Sequence, residues 1–247
     1  MTDALRAETV RISGHGGDEV EAYLAQPLSE GPFGGVVVIH HMPGYDESTK
    51  EITRRFAAHG YLALCHNLHW REAQGLSPDD ADAVVRARRG TPDDQLLGDV
   101  EGAATYLKSL PSSNGKLATI GFCSGGRQSF LAACTLPLDA AVNCYGAFVV
   151  AAPPPEAPTS ATPILDLAKN LSCPLLGLFG KDDTFPTSAE VDELEGELVA
   201  QEKTYEFHSY EGAGHAFFAT DRPSYRPDAA NAGWQAIWQF FGKYLSA

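Results

Sequence analysis

The chain has 247 residues, of which 44% are hydrophobic and 20% charged, so we expect one globular domain spanning residues 1–247. Its formal net charge of −14 argues against nucleic acid or an anionic membrane as a partner, and no apolar run approaches the ~20 residues that cross a bilayer. Five cysteines without CxxC spacing, and a start unlike a signal peptide, indicate reduced thiols in the cytoplasm.

Strands and helices alternate along the first half of the chain. The first two predicted strands flank the glycine-rich turn 14–18, as expected for an antiparallel hairpin at a sheet edge. The third is apolar without alternation, which is typical of a strand covered on both faces. In chain order, the pattern predicts strands at 9–13, 19–26 and 34–40, a helix at 49–59, a strand at 61–66, and helices at 78–89 and 92–110.

The same alternation continues in the second half, interrupted by the proline-rich residues 151–163, which we interpret as a surface excursion or lid segment. In chain order, the pattern predicts a strand at 116–121, a helix from Gln128 onward, strands at 139–145 and 174–180, a helix at 188–200, a strand at 204–210 and a helix at 229–245. Together these elements predict an α/β protein with a mostly parallel sheet of about eight strands, covered by helices on both faces.

A candidate nucleophile stands between the strand 116–121 and the helix that follows it. Gly121-Phe122-Cys123-Ser124-Gly125 is a G-x-C-x-G version of the G-x-S-x-G nucleophile elbow. A sharp strand-to-helix turn there would lift the Cys123 sulfur above the sheet edge and place it near a helix N-terminus, which favours a thiolate. The alternative is a glycine-rich turn around a buried cysteine with no chemical role.

Two later loops provide the partners that this nucleophile needs. Lys181-Asp182-Asp183 follows the strand 174–180, and Glu211-Gly212-Ala213-Gly214-His215 follows the strand 204–210. Parallel strands bring such loops to one sheet edge, and the order nucleophile, acid, histidine is the one that α/β-hydrolases use. We therefore predict that His215 takes the proton of Cys123 and that Asp183 orients His215, with Asp182 the weaker candidate.

These motifs resemble the dienelactone hydrolase (carboxymethylenebutenolidase) family over nearly the full length of the chain. The resemblance implies an α/β-hydrolase fold and an enzyme without cofactor, monomeric or weakly dimeric, that opens a lactone or small ester through a thioester. It is carried by Ser113-Asn114-Gly115-Lys116, Gly121-Phe122-Cys123-Ser124-Gly125-Gly126, Gly180-Lys181-Asp182-Asp183 and Tyr210-Glu211-Gly212-Ala213-Gly214-His215-Ala216-Phe217. The backbone N–H groups of Ser124 and Met42 are expected to bind the oxyanion.

Two positions depart from the family and bear on the substrate. His41 stands where the family has a glutamate that regulates the resting cysteine, and Ala219 stands where it has an arginine that grips the substrate carboxylate. These departures predict a pocket that is less committed to a carboxylated lactone. The expected substrate-binding residues are His41, Trp70, Arg86 and Arg222, with Arg88 and Arg89 as alternatives to Arg86 and with Phe148 beside Trp70 as a pocket wall.

The same residues allow other interpretations. His40, His41, His66 and His69 fall at one sheet edge, but their spacing matches no standard zinc signature, so we predict no metal. A non-catalytic ligand-binding protein on the same fold is one alternative function. A thiol redox sensor at Cys123 is another, although it would require a nearby resolving cysteine, and Cys134 is predicted to point elsewhere.

Overall fold

The computed structural model describes residues 4–246, in which eight strands form one sheet. The strands are β1 (Leu5–Ser13), β2 (Glu19–Pro27), β3 (Phe33–Ile39), β4 (Leu62–His66), β5 (Ser113–Phe122), β6 (Ala140–Cys144), β7 (Leu175–Gly180) and β8 (Tyr205–Tyr210). Their spatial order is β1-β2-β4-β3-β5-β6-β7-β8. The predicted strand count is confirmed.

The sheet is antiparallel at one edge and parallel elsewhere. β1 pairs antiparallel with β2, as the glycine-rich turn predicted, and β2 pairs antiparallel with β4. Every other pairing, from β4 through β8, is parallel. The carboxyl ends of β3 to β8 therefore meet at a single edge, where loops from distant parts of the sequence come together.

Helices cover both faces of this sheet, as predicted. They are α1 (Glu47–Ala58), α2 (Pro78–Ala87), α3 (Asp93–Ser109), α4 (Ser124–Thr135), α5 (Ser188–Ala200) and α6 (Pro227–Tyr244), with short 3-10 helices at His15–Gly17 and Leu165–Asn170. Buried residues of α1 and α6 pack on one face, and those of α3, α4 and α5 pack on the other. None of the helices within residues 4–246 is long and apolar enough to cross a membrane.

The sequence of β3 shows why the sheet is covered twice. Val36 and Val38 face the core beneath α1 and α6, whereas Val37 and Ile39 face the core beneath α3, α4 and α5. All four side chains are fully buried. Since successive side chains of a strand point to opposite faces, an apolar run without alternation is stable only between two layers of helices.

The region around Cys123 differs from the prediction in its boundaries. β5 is longer than predicted at both ends, and α4 begins at Ser124 rather than at Gln128. Gly125 and Gly126 therefore lie in the first helical turn rather than in a loop. A Cβ atom on Gly126 would stand 2.6 Å from the Cys144 carbonyl oxygen, so glycine is needed there for close packing of α4 against β6.

Residues 151–163, which we call the strap, contain no helix or strand and run beside the ends of α2 and α4. The Ser160 N–H donates to the Arg89 carbonyl oxygen over 2.7 Å, and the Arg89 guanidinium donates to the Thr159 carbonyl oxygen over 2.8 Å. Nη2 of Arg127 in α4 donates to the Thr162 carbonyl oxygen over 2.8 Å. The strap is therefore fastened to α2 on one side and to α4 on the other.

Candidate active site

Cys123 occupies a strained position between β5 and α4. It is the N-cap residue of α4, with φ 57° and ψ −121°, a region of backbone space that L-residues other than glycine rarely adopt. Its N–H donates to the Cys144 carbonyl oxygen on β6 over 3.1 Å. A Cβ atom on Gly121 would overlap the Gly125 carbonyl oxygen, so this sharp turn requires glycine two residues before the cysteine.

The loops after β7 and β8 bring an acid and a histidine together. Nδ1 of His215 lies 2.9 Å from Oδ2 of Asp183, whose side chain is 1% exposed. The other carboxylate oxygen of Asp183 accepts the Phe185 N–H over 2.8 Å, which fixes the orientation of the group. Asp182 is exposed to solvent. The structure thus pairs His215 with Asp183, the acid that the sequence favoured.

The thiol of Cys123 is electrostatically distinct from the other four thiols. Burial alone would raise the pKa of Cys123, but contact with His215, the Ser124 N–H and the charge of Arg222 lower it below its ordinary value. Burial alone would lower the pKa of His215, yet contacts with Asp183 and Cys123 raise it. Burial raises the pKa of the remaining four thiols, namely those of Cys65, Cys134, Cys144 and Cys173. This pattern favours a thiolate–imidazolium pair at Cys123 and His215.

Two backbone N–H groups beside Cys123 are available as donors. The Ser124 N–H lies in the first turn of α4, where backbone N–H groups have no intrahelical acceptor. The Met42 N–H, in the loop after β3, has no acceptor within residues 4–246. Met42, Cys123 and Ser124 line the same cavity. This arrangement suits stabilisation of a negative oxygen that develops next to the sulfur.

His40 anchors the loop that carries Met42. It is 1% exposed; Nδ1 lies 2.8 Å from the His41 carbonyl oxygen, and Nε2 lies 3.1 Å from the Leu68 nitrogen, which donates to it. These contacts assign a neutral ring protonated at Nδ1. Burial lowers the pKa of His40 well below its ordinary value, which is consistent with this neutral form. His40 therefore joins the loop after β3 to the loop after β4.

A cavity of about 350 Å³ extends from Cys123 toward α2, α3 and the strap. Its walls include Ser124 and Gln128 of α4, Phe148 of the loop after β6, and strap residues 157–161. Among the described residues, Asp183, His215 and Arg222 lie outside these walls. Cys123 therefore stands at the boundary, with the enclosed cavity on one side and the histidine on the other.

The two arginines that line the cavity are both paired with aspartates. Nε of Arg86 lies 2.6 Å from Oδ2 of Asp82, and the Arg127 guanidinium forms two parallel bonds to the Asp93 carboxylate, over 2.8 and 2.9 Å. Arg127 is 4% exposed. Fork-to-fork pairing of this kind neutralises the guanidinium and holds it in one orientation. Each guanidinium is thus compensated by a carboxylate, although Arg86 is held through Nε alone and its side chain is 40% exposed.

The remaining predicted substrate-binding residues fall in different places. His41 lines the cavity, and its Nε2 lies 3.2 Å from Nη2 of Arg222 and 3.4 Å from Oδ2 of Asp46. The placement of Trp70 was wrong. Its ring lies 4.0 Å below the Arg11 guanidinium and faces a second cavity, on the far side of the loop 40–46, because the turn after Asn67 directs it toward β1 and β2. Phe148 does line the cavity of Cys123.

The clustered histidines do not form a metal site. His40 is held as described, His66 is fully buried at the end of β4, and His69 lies in the cavity wall with its ring edge-on to that of His40. Across residues 4–246 there is no group of three or more His, Cys, Asp or Glu side chains arranged to hold a metal ion.

Three features that line this site have other roles in the sequence analysis, where Gln128 is a structural hydrogen bonder and residues 151–163 are a surface excursion or lid segment. Gln128 and the strap line the cavity, and His69 was considered only as a metal ligand. The spacing of Gln128 from Ser124 could have identified it as a cavity residue. Residues 123, 124, 127 and 128 lie on one face when the helix begins directly after Cys123. The predicted late start of that helix concealed it.

Comparison with known proteins identifies the family of the chain. The model of the dienelactone hydrolase family matches residues 20–245. A protein of Escherichia coli (strain K12) named "Putative carboxymethylenebutenolidase" is 34% identical over 234 residues, covering 92% of this chain and 84% of that protein. A Bradyrhizobium protein named "Probable 2-oxo-3-(5-oxofuran-2-ylidene)propanoate lactonase" is 30% identical over 250 residues, covering 98% of both.

Solved structures show the same architecture. The crystal structure titled "Putative Dienelactone Hydrolase" from Klebsiella pneumoniae superposes with a TM-score of 0.86 at 30% identity, covering 98% of this chain and 100% of that one. A dienelactone hydrolase-like promiscuous phosphotriesterase from metagenomic libraries has a TM-score of 0.80 at 22% identity, with 98% and 100% coverage, and supports the fold alone. The expected α/β-hydrolase fold is confirmed.

Proposed function

This chain belongs to the dienelactone hydrolase family and is a carboxylic ester hydrolase, and we propose that it cleaves lactones or small activated esters with Cys123 as nucleophile. The observation that carries the proposal is the placement of Cys123. It stands at a strained helix N-terminus, with a pKa that His215 lowers against the opposing effect of burial, and His215 is held in turn by Asp183 over 2.9 Å. Cys123, His215 and Asp183 then act as a catalytic triad.

The proposed reaction begins with attack of the Cys123 thiolate on the carbonyl carbon. The carbon–oxygen π electrons move onto the carbonyl oxygen, which accepts hydrogen bonds from the N–H groups of Met42 and Ser124. When the intermediate collapses, the bond to the leaving oxygen breaks, and that oxygen takes the proton of the His215 imidazolium. A thioester on Cys123 remains.

Water completes the turnover. His215, now neutral, takes a proton from a water molecule as the water oxygen bonds to the thioester carbon. The second tetrahedral intermediate collapses with release of the Cys123 thiolate and the carboxylic acid. Asp183 keeps His215 in the tautomer that presents Nε2 to the reacting atoms and stabilises the imidazolium whenever it forms.

The nucleophile favours esters over amides. A thiolate is a good leaving group, so a tetrahedral intermediate that carries an amine tends to expel the sulfur and return to substrate, whereas one with an enolate or aryloxide proceeds to thioester. We therefore propose activated lactones and esters, rather than peptides, as substrates. The proposed steps use only protein groups and water, so we propose that the enzyme works without a cofactor.

His41 and Arg222 are proposed to take over the places that the family gives to a glutamate and an arginine. Ala219 is too short to contact a substrate charge, but Arg222 contacts His41 over 3.2 Å, and its charge lowers the pKa of Cys123. Arg86, which the sequence also suggested as a substrate-binding residue, forms an ion pair with Asp82. This favours Arg222 as the cation beside the reacting carbonyl.

The setting of the enzyme is also a proposal. We infer a monomer or weak homodimer in the cytoplasm that acts on small molecules rather than on nucleic acid or membranes. The net charge of −14 supports the exclusion of polyanions. All five cysteines are free thiols, which supports a reducing compartment.

Turnover of p-nitrophenyl acetate tests the proposal. We expect release of p-nitrophenol, an acetyl mass increment on the peptide containing Cys123 after acid quenching, and loss of both in Cys123→Ala. Hydrolysis that survives in Cys123→Ala would contradict the assignment. Ester binding without turnover would instead support a ligand-binding protein, and reversible oxidation of Cys123 without hydrolysis would support a redox sensor.

A further inference from the structure

The cavity beside Cys123 has an unusual pair of polar groups on its walls. Gln128 of α4 and His69 of the loop after β4 both line it, together with Cys123. Among residues 4–246, neither the Gln128 amide nor the His69 ring has a hydrogen-bond partner, and the buried Oε1 of Gln128 and Nδ1 of His69 are both unsatisfied. The buried Nε of Arg127, which also lines the cavity, lacks a partner as well. Buried polar groups are nearly always paired, so three unpaired ones on one cavity suggest that a ligand completes them.

Gln128 can meet either kind of hydrogen-bonding group. It lies one helical turn after Ser124, so its side chain lies on the same face of α4 as the reactive end of the helix. Since no contact holds the amide in one orientation, a rotation of 180° presents either its N–H₂ or its carbonyl to the cavity. A hydroxyl or a carbonyl on the substrate would therefore be accepted.

His69 has the same two-sided character. It is 3% exposed, and burial lowers its pKa to about 4, so the ring is neutral at pH 7. A neutral imidazole has one donor and one acceptor nitrogen, and no contact to its ring selects the tautomer. His69 is thus a neutral partner and does not attract a carboxylate.

Each positive charge around these two residues is already compensated by a carboxylate. Arg86 pairs with Asp82, and Arg127 pairs with Asp93 through two bonds. A carboxylate entering this cavity would lose water and would compete with Asp82 and Asp93 for the two arginines, which is unfavourable. The lining therefore selects for polarity without charge.

The position of the cavity indicates that it contacts the acyl portion of the substrate. His215 stands outside the cavity walls, and the leaving oxygen must reach His215 to receive a proton. The acyl portion of the bound ester consequently lies on the other side of Cys123, inside the cavity. Strap residues 157–161 form part of the wall of this compartment, whose volume is about 350 Å³.

We infer that the cavity is an acyl pocket that selects substrates whose acyl group carries a neutral carbonyl or hydroxyl, read by Gln128 and His69. This inference rests on the proposed function and specifies its substrate class. It also separates the two sides of the site, with Arg222 acting at the reacting carbonyl and the neutral wall acting at the far end of the acyl group.

Three p-nitrophenyl esters of matched reach test the inference, namely hexanoate, 5-oxohexanoate and glutarate, which differ in whether the distal group is apolar, neutral polar or anionic. We expect kcat/KM for 5-oxohexanoate to exceed kcat/KM for hexanoate by about fivefold, within the roughly 2- to 12-fold range of one neutral hydrogen bond. We expect kcat/KM for 5-oxohexanoate to exceed kcat/KM for glutarate by at least tenfold. In Gln128→Leu, the ratio of 5-oxohexanoate to hexanoate should fall about fivefold, to about one.

The ratio of two substrates measured on one sample does not depend on how much of the variant is folded. Gln235→Leu, the same change at an exposed position of α6, serves as the matched control and should keep the wild-type ratio. A wild-type preference for hexanoate, a ratio in Gln128→Leu that is unchanged from wild type, or a preference for glutarate would overturn the inference while leaving the proposed function standing. If the enzyme hydrolyses none of the three esters, the proposed function and the inference are both overturned.

Discussion

Nη2 of Arg222 lies 3.2 Å from Nε2 of His41, although 181 positions separate the two residues in the sequence. Nε2 of His41 also lies 3.4 Å from Oδ2 of Asp46, so the imidazole stands between the Arg222 guanidinium and the Asp46 carboxylate. His41 thereby holds the Arg222 charge near Cys123, whose pKa that charge lowers. The pair explains how the site retains a cation although Ala219 replaces the family's arginine.

Arg222→Gln should move the thiolate titration of Cys123 to higher pH, because it removes a positive charge that stabilises the ionised sulfur. The rate of iodoacetamide labelling at Cys123 as a function of pH reports this midpoint. We also expect kcat/KM at pH 7 to fall by about tenfold, which corresponds to roughly 1.4 kcal/mol. Arg6→Gln removes the same charge at an exposed site on β1 and should match wild type. Identical titrations for both variants would exclude this role for Arg222.

Asp183→Asn should lose most of kcat with the fold intact. An amide at this position can donate to Nδ1 of His215 and so stabilise the wrong tautomer, an effect worth up to ~10⁴-fold in a serine triad. Asp182→Asn changes an exposed carboxylate in the same loop and should retain kcat within about threefold. The comparison is steady-state kinetics on p-nitrophenyl butyrate, with circular dichroism to verify folding. Comparable losses in the two variants would assign the effect to the loop as a whole.

The pH profile of kcat/KM should be a broad plateau. The active form contains the Cys123 thiolate and the His215 imidazolium, so activity is lost below the lowered pKa of Cys123 and above the raised pKa of His215, which is about 10. In the alternative mechanism, the thiol stays protonated until a neutral histidine removes its proton. Activity would then rise with pH through the ordinary histidine pKa of ~6.5. A single rise near that pH, with labelling of Cys123 that follows an unperturbed thiol, would contradict the ion pair.

Gly121→Ala should disrupt the elbow, because its Cβ would overlap the Gly125 carbonyl oxygen and force β5 away from α4. We expect a loss of about 1–3 kcal/mol in the free energy of unfolding, measured in urea, together with a large loss of activity. Gly196→Ala is the matched control. It lies on the exposed side of α5 with no atom within 4 Å of the new Cβ, and it should stabilise the protein by about 0.5–1 kcal/mol. Equal effects of the two substitutions would mean that the close approach at Gly121 is not limiting.

The sequence alone determined the architecture and the three residues that we propose as the triad. The strand and helix pattern, which depends on the local spacing of apolar residues, predicted the eight-stranded sheet and gave α5 its correct bounds at Ser188–Ala200. The elbow motif and the loops after β7 and β8 pointed to Cys123, Asp183 and His215, because residues that follow parallel strands gather at one sheet edge. Their catalytic role is still a prediction.

Only the tertiary structure decided what surrounds that centre. No sequence pattern indicated that Arg222 contacts His41, that Arg86 and Arg127 pair with aspartates, or that Trp70 faces away from the cavity. Each of these facts depends on a distance between loops that are remote in sequence and on the direction of a side chain at the end of a turn. Periodicity and motif spacing carry information along one element, whereas the binding wall of this enzyme is assembled from several elements.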